Sequence, residues 1–257
     1  MGIVNVTPDS FFDGGLHANT AAALAHCERL LAEGADMLDI GGESTRPGSK
    51  PLSVADELDR VLPVLRGALK LGCPVSIDTN KAEVMAAALA GGADIINDIS
   101  ALQSAGAIDA VAAHPACGVC LMHMRGTPES MQQRPHYDDV VEEVRAFLFE
   151  RAQALDAKGI SAERLVFDPG IGFGKSVEHN LELLRRQAQL LELGRPLLVG
   201  WSRKSTLGAI TGRDVTQRLA ASVAAALAAV HAGARVVRVH DVAATVDALK
   251  VWKAAGL

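Results

Sequence analysis

The sequence is poor in aromatic residues and contains no long apolar run. Aromatic side chains make up 4% of the 257 residues, whereas hydrophobic residues of all kinds make up 49%. The core is therefore expected to be aliphatic. No apolar run reaches the ~20 residues that span a bilayer, and the N-terminus lacks the basic and apolar segments of a secretory signal. These absences predict a cytoplasmic protein with no membrane partner.

An excess of positive charge is also missing. The chain has 25 basic and 30 acidic residues and a net charge of −5, which argues against a nucleic-acid partner. The four cysteines form no framework. Cys117 and Cys120 have the spacing of a metal or redox pair, but no second such pair or nearby histidine pair accompanies them. Buried thiols are the favoured interpretation.

What the sequence does contain is a repeated alternation of two patterns. Short apolar runs typical of buried strands alternate with segments whose apolar residues recur near every 3.6 positions, as in helices. Alternating strands and helices predict a parallel sheet, and eight such units in about 250 residues match a (β/α)₈ barrel, the TIM barrel. A doubly wound open sheet is the alternative. The apolar runs are 2–6, 37–40, 75–77, 95–99, 119–122, 165–167, 197–201 and 236–239.

The helical segments end at glycines, as helices often do. No linker, charge block or low-complexity stretch divides the chain, so residues 1–257 are predicted to form one domain. The helical segments are 20–33, 54–71, 81–90, 137–158, 177–193 and 215–232, and the glycines are Gly34, Gly72, Gly91, Gly159, Gly194 and Gly233.

Polar residues stand at nearly every strand end. Because active sites of such barrels lie at the C-terminal ends of the strands, these residues are expected to ring one mouth. Carboxylates and an amide suit a neutral, donor-rich heterocycle, and the basic residues Arg46, Arg203, Lys204, Arg238 and His240 suit an anion such as phosphate. The other members of the ring are Asn5, Asp39, Asp78, Asn97, Asp98, His123, Asp168 and Ser202.

The stretch 165–175 shows this arrangement most clearly. An apolar run ends in Asp168, and a glycine-rich turn follows that lets the backbone approach a ligand closely. The alternative is that Asp168 only caps the turn. The end of the stretch looks like a phosphate loop, but Pro169 stands where that motif requires glycine.

Eight ordered stretches resemble those of the dihydropteroate synthase family. The resemblance covers essentially the whole chain and implies a pterin-binding (β/α)₈ barrel. It implies a transferase of folate biosynthesis that joins 4-aminobenzoate to the methylene of 6-hydroxymethyl-7,8-dihydropterin diphosphate, giving 7,8-dihydropteroate and diphosphate. The stretches are 2–11 (GIVNVTPDSF), 39–48 (DIGGESTRPG), 76–79 (SIDT), 96–99 (INDI), 121–124 (LMHM), 168–175 (DPGIGFGK), 202–205 (SRKS) and 238–241 (RVHD).

The resemblance also implies roles for individual residues. It implies Mg²⁺ bound through Asn5, a homodimer, and inhibition by sulfonamides. The pterin-binding residues would be Asp78, Asn97, Met122, Asp168, Phe173, Lys204 and Arg238. The diphosphate-binding residues would be Asn5, Thr45, Arg46, Arg238 and His240. The aminobenzoate-binding residues would be Phe11, Pro47, Lys204 and Ser205, and the catalytic residues Arg238, Lys204, Asp13 and Arg46.

Two other functions fit parts of this pattern. A pterin-dependent methyltransferase domain has a similar barrel but would lack the aminobenzoate-side residues Phe11, Pro47 and Ser205. A non-catalytic pterin-binding paralogue should have lost loop residues or anion ligands, and here Asp13, Arg46 and the others are present. One departure from the family pattern is Phe12, where serine is common.

Overall fold

The computed structural model describes residues 1–7, 15–44, 48–49, 51–131, 133 and 135–257, with the backbone alone at 15–18. Six of the residues to which the family resemblance draws attention lie outside the described residues. They are Phe11, Phe12, Asp13, Thr45, Arg46 and Pro47.

Eight parallel strands form the centre of the molecule. The first six pair in chain order as one sheet, and the last two pair with each other. The strands are β1 (Gly2–Asn5), β2 (Leu38–Gly41), β3 (Val75–Asp78), β4 (Ile95–Asp98), β5 (Gly118–Met122), β6 (Leu165–Asp168), β7 (Leu198–Val199) and β8 (Val236–Val237). Each lies within one residue of a predicted apolar run or inside it.

Two parallel bridges join the two sheets into a ring. Phe167 of β6 pairs with Leu197 just before β7, and Gly2 of β1 pairs with Val239 just after β8. The Val239 carbonyl accepts the Ile3 N–H at 3.0 Å, and the Phe167 N–H donates to the carbonyl before Leu197 at 2.9 Å. The strands are therefore in closed circular order. The predicted single (β/α)₈ barrel is confirmed, because a doubly wound sheet would leave two open edges.

Helices surround the strands. They are α1 (Gly15–Ala32), α2 (Val54–Ala68), α3 (Ala82–Ala90), α4 (Ala107–Ala112), α5 (Val140–Asp156), α6 (Val177–Arg185), α7 (Gln187–Leu191), α8 (Ser205–Thr211), α9 (Leu219–His231) and α10 (Val242–Ala254). The predicted segment 177–193 divides at Arg186. Asp139 starts α5 by accepting the N–H groups of Val141 and Glu142 at 2.9 and 3.1 Å.

The predicted helix-ending glycines all stand at or within three residues after the end of a helix. Five of the six have positive φ angles between 69° and 97°. Gly91 is the C-cap of α3 with a φ of −79°. The next residue, Gly92, takes the left-handed conformation instead, with φ of 99°.

The core is aliphatic, as the composition predicts. Strand residues such as Leu38, Ile77 and Ile96 are completely buried, and Phe167 is the large aromatic among them. Cys117 and Cys120 are buried free thiols, so the buried-thiol interpretation is confirmed. Among the described helices, none is long and apolar enough to cross a membrane.

Candidate active site

A charged network lies inside the barrel at the C-terminal ends of four strands. Arg238, directly after β8, donates from Nε to Asp39 Oδ2 at 2.6 Å and from Nη2 to Asp78 Oδ2 at 2.8 Å. Asn97 Nδ2 of β4 donates to the same Asp39 oxygen at 3.2 Å. One guanidinium thus joins carboxylates from β2 and β3, and its orientation is set from two sides.

Asp39 is the buried centre of this network; the sequence predicts it in the polar ring but gives it no binding or catalytic role. Its side chain is fully buried, and its Oδ1 atom has no hydrogen-bond partner among the described residues. The sequence feature that could have identified Asp39 is its position between the core residues Leu38 and Ile40. Alternate strand residues point to opposite faces, so a carboxylate between two core residues must face the barrel interior.

The network has unusual protonation properties. Burial raises the pKa of Asp78 to about 7, although Arg238 opposes this shift. Burial by itself would lower the pKa of Arg238, but Asp39 and Asp78 outweigh it and hold the pKa above its ordinary value. Arg238 is therefore a permanent cation at the mouth, and Asp78 is the group that can change its charge near neutral pH.

Asp168 ends β6 and is nearly completely buried. Its Oδ1 atom accepts the Gly170 N–H at 2.7 Å, so this carboxylate does cap the glycine-rich turn, as one interpretation of the sequence expected. Burial raises its pKa, opposed by the Gly170 hydrogen bond and by Lys204. Met122, the buried end of β5, pairs in register with Asp168. The two therefore stand side by side at the mouth.

The glycine-rich turn meets the strand end after β7. The Lys204 ammonium lies 4.1 Å from the centre of the Phe173 ring, a cation–π contact. A side chain at Gly172 would crowd the Lys204 stem, because a Cβ there would lie 3.2 Å from Cδ. Burial lowers the pKa of Lys204 to about 8, against the opposing effect of Asp168. Two of the predicted pterin residues are thus in direct contact.

Lys175 stabilises the glycine-rich turn after β6. Its Nζ atom lies 2.9 Å from His123 Nδ1 and donates to the carbonyls of Gly170 and Phe173 at 3.0 Å each. Burial, followed by the charge of Lys175, lowers the pKa of His123 to about 2. His123 was expected in the polar ring, but it is committed to this internal contact.

Two further members of the expected ring also have internal partners. Asp98 accepts the N–H groups of Ser100 and Leu102 at 2.7 Å each and shapes the turn after β4. Arg203 was expected among the anion ligands but pairs with Asp241 at 2.9 and 2.5 Å. Strand-end position alone did not distinguish these residues from those that face the mouth.

His240 lies beside Arg238 and is fixed by Ser202. The His240 N–H donates to Ser202 Oγ at 3.1 Å, and its ring Nδ1 lies 3.0 Å from the same oxygen. Burial and the neighbouring Arg203 lower the pKa of His240 to about 3, so its ring is neutral. Asn5 ends β1, paired with Gly41, and Ser205 is the exposed first residue of α8.

The mouth therefore has two chemical sides. Asp78, Asn97 and Asp168 supply acceptors for a planar ring that carries several N–H donors. Lys204 and Arg238 bring positive charge next to them, and the neutral His240 adds a ring nitrogen, an arrangement that suits a negatively charged group.

Comparison with known proteins agrees with this geometry. Residues 1–240 match the model of the family described as pterin binding enzyme. The dihydropteroate synthase of Neisseria meningitidis serogroup B is 53% identical over 263 residues, which cover 100% of this chain and 92% of that protein. The chain belongs to the dihydropteroate synthase family. The predicted family and the synthase interpretation are confirmed.

Solved structures of the dihydropteroate synthase family have the same barrel. The Xanthomonas albilineans enzyme with 4-aminobenzoic acid is 55% identical, with a TM-score of 0.94 and coverage of 100% of this chain and 92% of that one. Its complex with 7,8-dihydropteroate matches at 52% identity, a TM-score of 0.90 and the same coverage. The Yersinia pestis enzyme with a sulfonamide drug is 46% identical, with a TM-score of 0.94 and coverage of 99% and 93%.

Proposed function

We propose that this chain condenses 6-hydroxymethyl-7,8-dihydropterin diphosphate with 4-aminobenzoate to give 7,8-dihydropteroate and diphosphate. The observation that carries the proposal is the two-sided mouth, in which Asp168 and Asn97 stand near Arg238 and Lys204. Family members bind 4-aminobenzoate and 7,8-dihydropteroate, the second substrate and the product of this reaction.

The acceptor side binds the pterin. Asp168 accepts hydrogen bonds from the amino-pyrimidinone edge, and Asp78 and Asn97 complete its recognition. Lys204 donates to the ring carbonyl and nitrogen. Its contact with Phe173 and the position of Met122 beside Asp168 support an enclosed slot for the flat ring.

The cationic side binds the diphosphate. Arg238 and His240 donate to its oxygens, and Thr45 and Arg46 are the further diphosphate-binding residues. Asn5 would hold Mg²⁺ through its carboxamide oxygen. A hard cation that keeps most of its ligands as water and phosphate oxygens fits a site with one protein oxygen, and no cluster of three acidic, His or Cys ligands exists in the described parts of the chain. When bound, the ion neutralises charge on the diphosphate.

In the reaction the bond between the pterin methylene carbon and the diphosphate oxygen breaks, and the diphosphate leaves with the electron pair. The aminobenzoate nitrogen bonds to the methylene and gives up one proton to solvent. No protein atom becomes covalently attached. Arg238 stabilises the departing charge, and it is already oriented by Asp39 and Asp78, so no reorganisation is required at that moment.

The aminobenzoate is bound by Phe11, Pro47, Lys204 and Ser205, and Asp13 and Arg46 act in catalysis together with Lys204 and Arg238. Sulfonamides occupy the same position, as the Yersinia pestis complex with a sulfonamide drug supports. The protein works in the cytoplasm as a homodimer through its outer helices. The exposed apolar side chains of Ile210, Val215 and Leu219 around α8 and α9 support an interface there.

A diphosphate-release assay tests this function. Purified protein with Mg²⁺ and the dihydropterin diphosphate should release diphosphate and form 7,8-dihydropteroate in equal amounts only when 4-aminobenzoate is added, and a sulfonamide should compete with it. A protein that binds pterin but makes no dihydropteroate would be a non-catalytic paralogue. Sedimentation equilibrium of the same sample tests the dimer.

A further inference from the structure

The turn after β7 has a strained backbone. Arg203 has a φ of +60° and is one of three non-glycine residues with positive φ in the described chain. This left-handed conformation is unfavourable for a residue with a Cβ atom. Arg203 stands between Ser202, which contacts His240, and Lys204, which lies over Phe173. Strain at such a place persists only where the surrounding structure holds it.

Two residues at the start of α9 hold this turn. Arg218 Nη1 donates to the carbonyls of Arg203 and Lys204 at 3.0 and 3.4 Å. The Ser222 hydroxyl accepts the Arg203 N–H at 2.9 Å and donates to the Arg218 carbonyl at 2.7 Å. Both backbone polar groups of Arg203 are therefore bound by α9.

A glycine in α8 makes room for the Arg218 side chain. A Cβ atom at Gly208 would lie 2.2 Å from Arg218 Nη2 and 2.5 Å from Cζ, far inside contact distance. On its other side, Arg218 Nε donates to the Arg213 carbonyl at 2.9 Å. Because Gly208 has no side chain, the Arg218 guanidinium can pass over α8 at this position and reach the turn.

We propose that Arg218 is a positioning residue for Lys204. Together with Ser222 it holds Arg203 in its left-handed conformation, and this conformation aims the Lys204 side chain across the Phe173 ring and into the mouth. The inference rests on the proposed function only in taking Lys204 as a substrate-binding residue. Without the Arg218 contacts the turn relaxes, and Lys204 leaves its position.

The first test compares Arg218→Ala with Arg213→Ala in the diphosphate-release assay. Both variants remove one positive charge from the same segment. Arg213, however, contacts Arg218 through its backbone carbonyl, which Arg213→Ala keeps. Arg218→Ala should lower kcat/KM by about 10-fold or more, and Arg213→Ala should stay within about twofold of the wild type. Equal values for the two variants would overturn the inference. An inactive wild type would instead refute the proposed function.

The second test uses rescue. Glycine adopts positive φ without strain, so Arg203→Gly combined with Arg218→Ala should recover most of the lost kcat/KM. Arg203→Ala in the same background should recover little, because alanine keeps the strain. Both double variants lose the ion pair with Asp241, so their difference reports the backbone alone. We expect about a 10-fold difference, and equal activity would contradict the proposal.

The third test places a methyl group at position 208, against the Arg218 side chain. Gly208→Ala suits the helix, but its methyl group must displace the Arg218 guanidinium. It should therefore lower kcat/KM in the wild-type background and have little effect once Arg218→Ala has removed the guanidinium. Such non-additivity is the signature of two residues acting through one contact. Losses that simply multiply would show that Gly208 and Arg218 act independently and would overturn the inference.

Discussion

At the scale of single residues, the site depends on side chains whose orientation is fixed by hydrogen bonds to their neighbours. Asp168 has one oxygen occupied by the turn that it caps, and Arg238 has two of its donors occupied by carboxylates. Each is therefore oriented before any substrate arrives, and a substitution that keeps the shape but changes the charge is informative.

Asp168→Asn tests the pterin site. The amide places an N–H donor where the pterin edge also presents donors, in a buried position, so pterin binding should weaken by about 2–3 kcal/mol. Isothermal titration calorimetry with a pterin checks this. Asp109→Asn, which loses an exposed carboxylate paired with Lys158, should bind pterin normally. Unchanged affinity in Asp168→Asn would remove this residue from the site.

Arg238→Lys tests the stabilisation of the leaving group. Lysine keeps the charge but loses the planar fork that now reaches Asp39 and Asp78 together. Turnover should fall by about 100-fold, a typical cost of losing an oriented donor to a developing charge. Steady-state kinetics separate the outcomes: a variant with normal kcat and only a raised KM would show that Arg238 binds the ground state alone.

At the scale of elements, the glycine-rich turn after β6 is tightly constrained. Gly170 and Gly194 both have φ of 69°, but their surroundings differ. A Cβ atom at Gly170 would lie 1.8 Å from the His123 carbonyl oxygen, whereas at Gly194 nothing lies within 4 Å. Alanine substitutions at the two positions therefore separate the cost of backbone strain from the cost of steric collision.

Gly194→Ala should cost about 1–2 kcal/mol of unfolding free energy, which is the price of a left-handed alanine. Gly170→Ala should cost clearly more, because the turn must also move away from β5 and carry Phe173 with it. Urea denaturation measures both, and pterin titration should show a defect in Gly170→Ala only. Equal losses of stability would mean that the turn can shift without disturbing the site.

At the scale of the whole molecule, buried neutral histidines link stability to pH. The pKa values of His123 and His240 are lowered to about 2 and about 3, chiefly by burial. When unfolded, each ring takes up a proton near pH 6.5. For these two groups the unfolded state then binds more protons than the folded state, so their contribution to the unfolding free energy should fall as the pH drops below 6.5. Asp78, whose pKa burial raises to about 7, takes up its proton in the folded state and contributes with the opposite sign over the same range.

The His123→Asn variant isolates one of these contributions. An asparagine oxygen can accept the Lys175 hydrogen bond but does not titrate. Below pH 6, each neutral histidine adds a slope of at most about 1.4 kcal/mol per pH unit. Urea denaturation at several pH values between 4.5 and 7.5 should therefore show that the variant gains unfolding free energy relative to the wild type as the pH falls. Parallel curves would mean that His123 is protonated in the folded state.

The alternating strands and helices, and the edge at which the polar strand ends meet, were determined by the sequence alone, whereas closure into a barrel rather than a doubly wound sheet was seen in the strand pairing. Alternation of strands and helices is a local pattern, and a parallel sheet brings all C-terminal strand ends to one edge. Asp78, Asn97, Asp168 and Arg238 were therefore predictable as neighbours. The family motifs added what each residue binds, which no local pattern contains.

The tertiary structure decided which charged side chains pair with one another. Arg238 pairs with Asp39 and Asp78 across separations of 199 and 160 residues, and no periodicity relates such distant positions. The same limit explains Arg203, which looks like an anion ligand in the sequence but meets Asp241 in the fold. Strand order specifies which ends are adjacent, whereas twist, burial and the backbone angle at each end decide which side chains reach the mouth and which bind one another.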